Sequence, residues 1–269
     1  VHVVYGLPGL KTHAKALLVV RRERDADGAS VIRRYMHLGT GNYNAGTATV
    51  YTDMGLLTCD PDLGADVSEL FNLLTGFSKQ RSWRKLWVAP ETMRGALMAA
   101  IERETEHANA GRPARIVAKM NSLVDPRVIQ ALYRASQAGV EIDLIVRGVC
   151  CLRPGVPRVS KNIRVRSIVG RFLEHARIFY FEDGGAGSLY LGSADWMQRN
   201  LNARVEALFP VEEPRVRREI MKVLDLGMRD NVKARELQSS GAYVRARRRP
   251  GQRRLDSQAH LIARSRRKG

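Results

Sequence analysis

The segment Lys11-Thr12-His13-Ala14-Lys15 decides the fold expected for this chain. In an extended segment, residues two apart point to the same side, so His13 and Lys15 share one face. The apolar residues 17–20 that follow are partly β-branched, which predicts a short buried strand rather than a helix. An imidazole is largely neutral at pH 7 and can attack phosphorus, while the Lys15 ammonium can hold phosphate oxygens. The segment therefore predicts a phosphate-handling site.

A second segment, Glu174-His175-Ala176-Arg177, repeats this arrangement in front of the apolar residues 178–181. Further strand-like residues follow each segment and lead to a small-residue turn. The first turn is Gly39-Thr40-Gly41-Asn42 and the second is Gly192-Ser193-Ala194-Asp195. A repeated combination is far less expected by chance than a single histidine. The sequence thus predicts two lobes that each supply one histidine to a shared site.

These paired segments and turns resemble the phospholipase D superfamily, whose paired histidines act on phosphoryl groups. Two departures narrow the resemblance. Val20 stands where the nucleases and lipases of that superfamily have Asp, and Arg177 stands in place of Lys. Other segments make the chain similar to the C-terminal half of the bacterial polyphosphate kinase family over nearly its whole length: Tyr51-Thr52-Asp53, residues 144–148, residues 172–175, Ser193-Ala194-Asp195-Trp196-Met197, and the tail segment Ser257-Gln258.

The resemblance implies an α/β fold of two phospholipase D-like lobes, each a mixed sheet flanked by helices. Residues 1–111 would form the first lobe, incomplete at its N-terminus, and residues 112–240 would form the second lobe. Residues 241–269 would be a basic tail, either solvated or docked as an anion-binding arm. The chain opens on Val1 rather than Met and inside an apparent element, so we expect a fragment that lacks upstream domains.

The activity that the resemblance implies is reversible transfer of the γ-phosphoryl group of ATP to inorganic polyphosphate through a phosphohistidine. His13 would be the nucleophile, and His175 would hold the leaving oxygen or protonate it. Contacts to ATP are expected from Tyr51, Arg147 and His175. The alternative for each histidine is a purely structural role at a strand edge, with its ring hydrogen-bonded to neighbouring groups. Tyr51 could likewise be an aromatic residue that only packs within its strand.

Phosphate-binding roles are expected for Lys15, Asn42 and Arg177, with Mg²⁺ as the cofactor and its ligands unassigned. The glycine-rich turn before Asn42 could offer backbone N–H groups to phosphate, although such turns are more often only turns. Other acidic residues could orient a histidine or could equally be turn and cap residues: Asp53, Glu174 and Asp195. The expected partners are ATP, ADP, polyphosphate, the missing upstream domains and further copies of the same chain.

Composition bounds these expectations. A chain of 269 residues with 44% hydrophobic and 27% charged residues is typical of about two globular domains. No apolar run reaches the roughly 18 residues of a membrane-spanning helix. Three cysteines, two of them adjacent, form no disulfide framework or zinc spacing. We therefore expect a cytoplasmic protein, with peripheral association with the inner membrane as an alternative.

The formal net charge of +18 predicts an anionic partner but does not choose among nucleic acid, nucleotide, polyphosphate and lipid. Two rival functions remain open. One is a phosphodiesterase of the phospholipase D type, and the other is a basic module that binds nucleic acid or polyphosphate. Aromatic residues make up only 6% of the chain, so recognition of a specific nucleic acid by stacking is not expected. Truncation after Gly241 should weaken a pure binder but leave an active site intact.

Periodicity and capping residues predict the secondary structure. The clearest unit is β-α-β, with a strand at 115–120, a helix capped by Ser122 or Asp125, and a strand at 140–146 that ends before Arg147. Ligand groups in open α/β sheets stand at such carboxyl ends. Helices are also predicted at 62–77, starting near Asp62 or Asp66, at 90–111 and at 213–231. Further strands are predicted at 14–20, 31–38, 51–58, 85–89, 163–168, 173–181, 189–191 and 204–210.

Overall fold

The computed structural model describes residues 1–77, 82–248 and 250–266. Arg249, Arg267 and Lys268 of the expected basic tail lie outside these ranges. The strands in chain order are β1 Lys11–Thr12, β2 Ala16–Arg24, β3 Ser30–Gly39, β4 Tyr51–Thr52, β5 Gly55–Thr58, β6 Trp87–Ala89, β7 Arg115–Met120, β8 Glu141–Val146, β9 Ile163–Ile168, β10 Leu173–Glu174, β11 Arg177–Phe181, β12 Ser188–Gly192, β13 Arg204–Pro210, β14 Ala234–Leu237 and β15 Tyr243–Arg245. The helices are α1 Ala45–Ala48, α2 Pro61–Leu74, α3 Met93–Asn109, α4 Pro126–Gln137, α5 Gln198–Asn202, α6 Pro214–Arg229 and α7 Ser257–Arg266.

A large mixed sheet forms the centre of the fold. Its strand order is β1-β13-β12-β11-β7-β8-β9-β14-β15, and β6 pairs with β13 beside β1. Strands β7, β8 and β9 are parallel, as the predicted β-α-β unit requires. Strands β11 and β12 are antiparallel to their neighbours, whereas β13 is antiparallel to β12 and β6 but parallel to β1. The expected α/β fold class is confirmed.

Local sequence explains where the helices start. Asp125 accepts hydrogen bonds from the backbone N–H groups of Arg127 and Val128, at 3.0 and 3.1 Å, and Pro126 occupies the first turn of α4. Helix α2 begins at Pro61, next to the start predicted near Asp62, and its N-cap is Asp60; the alternative start near Asp66 is wrong. Asp66 is buried inside α2 instead, where it accepts hydrogen bonds from backbone N–H groups of residues 84–86.

Strand β6 and helix α3 belong to the large sheet and its helical layer, although both fall inside the range 1–111 expected for the first lobe. Ala207 on β13 pairs with Val88 on β6. The apolar stripe of α3 at Met93, Leu97 and Ile101 is buried in the same core as α4 and β7. The short connection that follows α3 therefore separates elements that share one core.

A separate antiparallel sheet, β2-β3-β5, carries α2 on one face. The prediction of a buried strand at residues 17–20 is wrong, because Leu17, Val19 and Val20 are 49%, 45% and 55% exposed. Leu17 and Val19 alternate with Leu18, and only Leu18 packs partly against the core that contains α2. Val20 shares a face with Leu18 but is exposed, so the core covers only part of one face of the apolar run.

The third sheet has only two strands, β4 and β10, which pair in parallel. We call this pair the ribbon. The strands predicted at 51–58 and 173–181 are each broken here: after Thr52 the chain turns into β5, and after Glu174 it turns into β11. Asp53 and His175 directly follow the two ribbon strands. The ribbon therefore places one residue from each half of the chain at the same carboxyl end.

The described part of the expected tail is ordered. Strand β15 pairs with β14 at the edge of the large sheet, and α7 begins with two buried residues, Ser257 and Gln258. Among the helices of the described residues, none combines the length and the apolarity that crossing a bilayer would require.

Candidate active site

His13 is fixed at the end of β1 by both its backbone and its ring. The N–H groups of His13 and Ala14 donate to the carbonyl oxygen of Val205 on β13, at 2.8 and 2.9 Å. Ring atom Nδ1 lies 2.8 Å from Oε2 of Glu206, whose side chain has no exposed surface. Because a carboxylate can only accept, Nδ1 carries the proton and Nε2 keeps its lone pair. This arrangement orients His13 as a nucleophile through Nε2.

The ammonium of Lys15, two residues after His13, is buried. The residue is 7% exposed, and Nζ has no hydrogen-bond partner within the described residues. Burial lowers the pKa of Lys15 from 10.5 to about 8; the nearby carboxylates of Glu206 and Asp53 act against this, while the Arg177 guanidinium adds to it. A buried ammonium without a partner is costly, and an anion placed beside it would remove that cost.

His175 is bound on both ring nitrogens. Nδ1 is 2.9 Å from both carboxylate oxygens of Asp53, and Nη1 of Arg177 is 3.0 Å from Nε2. Arg177 can only donate, so Nε2 accepts and Nδ1 donates to Asp53. Burial lowers the pKa of His175 below its ordinary value, and the hydrogen bond to Asp53 opposes that shift. The ring is thereby held as the neutral imidazole.

Asp53 is seated by the glycine-rich turn after β3. Oγ1 of Thr40 donates to Oδ1 of Asp53 at 2.7 Å. Burial favours the neutral acid, but the hydrogen bonds from His175 and Thr40 outweigh burial and lower the pKa of Asp53. A Cβ at Gly41 would lie 2.1 Å from Oδ2 of Asp53, so only glycine lets the turn approach this closely. The turn therefore seats a carboxylate that orients His175.

Arg177 uses its guanidinium mainly within the protein. Nε and Nη2 contact the two oxygens of Asp195 at 3.2 and 3.0 Å, and Nη1 donates to the carbonyl oxygen of Thr40 at 3.3 Å. Asp195 also accepts from the backbone N–H of Asn121 at 2.7 Å. Both Arg177 and Asp195 are buried, so the two-pronged face of Arg177 is occupied by Asp195. Its role in phosphate binding remains a prediction.

Tyr51 and Arg147 line one cavity of about 360 Å³, together with Phe172. The Tyr51 ring lies 4.7 Å from the ring of His175, measured between centroids. Arg147 stands directly after β8, as its predicted position requires, and its Nε donates to Oδ1 of Asn121 at 3.0 Å. Two of the three residues expected to contact ATP, Tyr51 and Arg147, thus share a pocket that adjoins the third, His175.

Asn42, the third residue with an expected phosphate role, is exposed in the loop before α1. Its carbonyl oxygen accepts from the N–H of Asn44 at 2.8 Å. The N–H of Thr40 donates to the carbonyl oxygen of Met54 and does not point into open space. The loop is therefore committed to internal contacts at Thr40, while Asn42 stays accessible to solvent.

Sequence reasoning missed Glu206. This carboxylate stands in the apolar strand β13, far along the chain from His13. A lone acidic residue in an apolar strand is a signal that it has a partner, because an unpaired buried charge is strongly disfavoured. The sequence does not reveal which residue that partner is.

The residues around the site do not form a cage for Mg²⁺. Among the described residues, no three His, Cys, Asp or Glu side chains are grouped so that they could hold a metal ion. The carboxylates nearest the histidines are engaged: Glu206 contacts His13, Asp53 contacts His175, and Asp195 contacts Arg177. The described residues therefore do not fit a dedicated Mg²⁺ site, because the carboxylates beside the two histidines are already engaged.

Comparisons with known proteins agree on one family. Residues 1–80 match the model described as "Polyphosphate kinase C-terminal domain 1", and residues 86–258 match "Polyphosphate kinase C-terminal domain 2". These two matches meet between α2 and β6, which agrees with the placement of β6 and α3 in the large sheet.

Curated relatives are similar over most of the chain. A polyphosphate kinase of Thermosynechococcus vestitus is 57% identical over 98% of this chain, and one of Synechocystis sp. is 60% identical over 92%. The chain covers 36% and 33% of these two proteins, so it spans about a third of their length.

A solved structure shares the fold. The crystal structure of polyphosphate kinase from Porphyromonas gingivalis matches with a TM-score of 0.90 and 41% identity. The match covers 97% of this chain and 40% of that chain.

Proposed function

This chain belongs to the polyphosphate kinase family, and from that premise we propose that it carries the catalytic centre for reversible transfer of the ATP γ-phosphoryl group to inorganic polyphosphate. One observation supports the proposal above all: Nδ1 of His13 is held by buried Glu206, and the buried ammonium of Lys15, which interacts electrostatically with the same Glu206, has no hydrogen-bond partner within the described residues. A nucleophile and a cation with free hydrogen-bond donors are what attack on a phosphoryl group requires.

In the first step, the lone pair of His13 Nε2 attacks the γ-phosphorus of ATP. The Nε2–P bond forms, the bond from phosphorus to the oxygen that bridges the β- and γ-phosphates breaks, and ADP leaves with that oxygen and its electron pair. The imidazole ring becomes cationic, and the Glu206 carboxylate on Nδ1 stabilises this charge. Lys15 offsets the negative charge on the transferring oxygens.

In the second step, a terminal oxygen of polyphosphate attacks the same phosphorus. The new P–O bond forms, the Nε2–P bond breaks, and the electron pair returns to Nε2 of His13. The ring is again neutral, with its proton still on Nδ1, so no proton has to be moved between the half-reactions. The reverse sequence makes ATP from polyphosphate and ADP.

We assign the nucleotide to the cavity lined by Tyr51 and Arg147. Its aromatic wall suits a base, and Arg147 stands at the end of β8, where an anion can approach. His175 lies beside Tyr51, and its Nε2 accepts from Arg177. To hold or protonate a leaving oxygen, the ring must give up that contact and carry a proton on Nε2. Asn42 and Arg177 complete the proposed phosphate contacts.

The proposal also includes a metal ion, further domains and further copies of the chain. Mg²⁺ is assigned as the counter-ion of the nucleotide phosphates, with which it is usually bound. The upstream domains of the same polypeptide complete the enzyme, and assembly of further copies is expected. The setting is the cytoplasm, with peripheral association with the inner membrane as an alternative.

The test uses the full-length polypeptide and γ-³²P-ATP. The protein should acquire label on an acid-labile, base-stable linkage, and His13→Ala should abolish that label. The matched control is His2→Ala, which changes an exposed histidine. Retained labelling in His13→Ala would remove the nucleophile assignment. Hydrolysis of a plain phosphodiester without ATP would favour the phosphodiesterase instead.

A further inference from the structure

Gln258, the second residue of α7, is buried beside the ribbon although it lies in the expected basic tail. It is 4% exposed. Its Oε1 accepts from the N–H of Phe172 at 2.9 Å, and its Nε2 donates to the carbonyl oxygen of Phe172 at 2.9 Å. Nε2 also donates to Oε1 of Glu174 at 2.6 Å. One side chain thus satisfies three polar groups at the start of β10.

The pair of bonds to Phe172 imitates a neighbouring strand. In a sheet, a peptide group offers one N–H and one C=O to the strand beside it, and the Gln258 amide offers the same two groups. A Cβ at Gly170 would lie 2.4 Å from Oε1 of Gln258, so the loop before β10 has glycine where the amide approaches. An isolated two-stranded pair is marginally stable, and this amide supports its open edge.

Helix α7 is anchored, so the amide is not carried by a loose tail. Oδ2 of Asp230, which caps the end of α6, accepts from the N–H and the hydroxyl of Ser257 at 2.7 and 2.8 Å. Asn231 and Leu255 exchange hydrogen bonds at 2.9 and 3.0 Å. Gln258 therefore projects from a fixed point towards the ribbon.

Glu174 passes this support on to the residues around His175. Its Oε2 lies 3.1 Å from Nζ of Lys119 and accepts from Oγ1 of Thr52 at 3.2 Å. Lys119 is fully buried and also donates to the carbonyl oxygen of Ala176 at 3.2 Å. The residues on either side of His175, and the residue before Asp53, all belong to one network that begins at Gln258.

We propose that Gln258 is a positioning residue: its amide holds the ribbon in place, so that Tyr51, Asp53 and His175 face the bound nucleotide. The nature of the ligand rests on the proposed function, whereas the support of the ribbon does not. Gln258 forms its side-chain hydrogen bonds with Phe172 and Glu174, and its effect on Tyr51 and His175 passes through these two residues.

The first experiment measures steady-state kinetics of the full-length enzyme with Gln258→Ala and Gln258→Asn. The control is His260→Ala, which changes an exposed residue on the same helix. We expect the KM for ATP to rise about tenfold in both Gln258 variants, with a smaller fall in kcat, since positioning acts on nucleotide binding first. The control should keep both constants. An unchanged KM for ATP in Gln258→Ala overturns the proposal.

A second experiment needs no activity. Amide hydrogen exchange, followed without substrate, should accelerate in residues 51–53 and 172–176 of Gln258→Ala and stay unchanged in His260→Ala. If the unmodified enzyme transfers no phosphoryl group, the proposed function fails while this measurement still tests the ribbon. If exchange in both segments is unchanged, the positioning role fails even in an active enzyme.

Gln258→Glu provides a nearly isosteric variant in case Gln258→Ala does not fold. The ionisable groups that face the new carboxyl are Glu174, Lys119 and, across an adjoining cavity, Asp53. If both carboxylates are ionised, they repel each other. If the new carboxyl is protonated, it can donate a hydrogen bond to Glu174, as the Gln258 amide does. At each pH, the KM of Gln258→Glu for ATP is compared with that of the unmodified enzyme. The ratio of the two should fall towards one as the pH is lowered from about 8 to about 6. An elevated KM that ignores pH, or no elevation at all, contradicts the proposed contact.

Discussion

Nδ1 of His13 lies 2.8 Å from Oε2 of Glu206, a carboxylate that solvent does not reach. The two residues come from opposite ends of the chain and meet because β1 pairs with β13. The carboxylate sets which ring nitrogen carries the proton, and so it determines which nitrogen can attack.

Glu206→Gln should slow phosphorylation of His13 by about 10- to 100-fold, the usual cost of losing a group that orients a histidine. The amide keeps the size of the side chain but loses the charge that stabilises the cationic ring. Single-turnover labelling with γ-³²P-ATP measures the effect. Glu102→Gln, at an exposed position on α3, serves as the control and should label at the unmodified rate. Equal rates for both variants would show that Glu206 is only structural.

Lys15 should make anion affinity fall as the pH rises through about 8. Its pKa is lowered to about 8, so the ammonium loses its charge there. Lys15→Arg retains the positive charge at all accessible pH values and should move this fall to higher pH. Titrating the chain with inorganic tripolyphosphate across this range gives the profile. The same midpoint in both proteins would assign the transition to another group.

The same shift has the opposite effect on stability. Between pH of about 8 and 10.5, the folded protein has released a proton that the unfolded chain still binds at Lys15. The free energy of unfolding contributed by this residue therefore rises with pH across that window. Urea denaturation gives the free energy of unfolding of the unmodified chain and of Lys15→Met at each pH. The gap between the two values should change in favour of the unmodified chain as the pH rises. A gap that stays constant with pH would contradict the assignment.

Asp53→Asn should lower the pKa of His175 further. The hydrogen bond to Asp53 is what opposes the lowering caused by burial, and the amide cannot supply the negative charge. A pH titration of the imidazole by nuclear magnetic resonance reads this directly. Asp27→Asn, in the exposed turn between β2 and β3, should leave the titration unchanged. A rise in the pKa of His175 would contradict the geometry.

Arg177→Lys should destabilise the fold by about 1–3 kcal/mol, because a buried carboxylate at Asp195 loses its paired contact. Adding Asp195→Asn removes that carboxylate, so the loss in the double variant should be smaller than the sum of the two single losses. A double-mutant cycle by urea denaturation measures the coupling, and strictly additive losses would exclude it.

Local pattern predicted what depends on near neighbours. Asp125, one of the two caps that the sequence predicts, is the N-cap of α4. The same reasoning could not show that residues 17–20 leave one face open, since periodicity does not say whether anything covers a strand. Nor could it place β6 and α3, because the strand that β6 joins lies far along the chain.

The candidate site shows the same limit. Sequence spacing brought His13 and Lys15 to one face, and the repeated segment brought in His175. The partner of His13 could not be inferred, because Glu206 becomes close only after β1 and β13 pair. The composition of the tail predicts a basic arm, either solvated or docked. It does not predict that an uncharged residue, Gln258, would be the buried contact. Truncation after Gly241 would remove α7, so it cannot separate a binder from an enzyme as expected.

The ribbon joins a strand from each half of the chain through only two residue pairs, Leu173 with Tyr51 and Glu174 with Thr52. Movement of one half against the other would separate these pairs together with the hydrophobic core that both halves share, in which Leu63 and Val67 of α2 pack with Ile178 of the large sheet. Separation of the halves and disassembly of the His175 environment would then be a single event. Phosphoryl transfer would therefore stop whenever the two halves separate, and no dedicated lid would be needed.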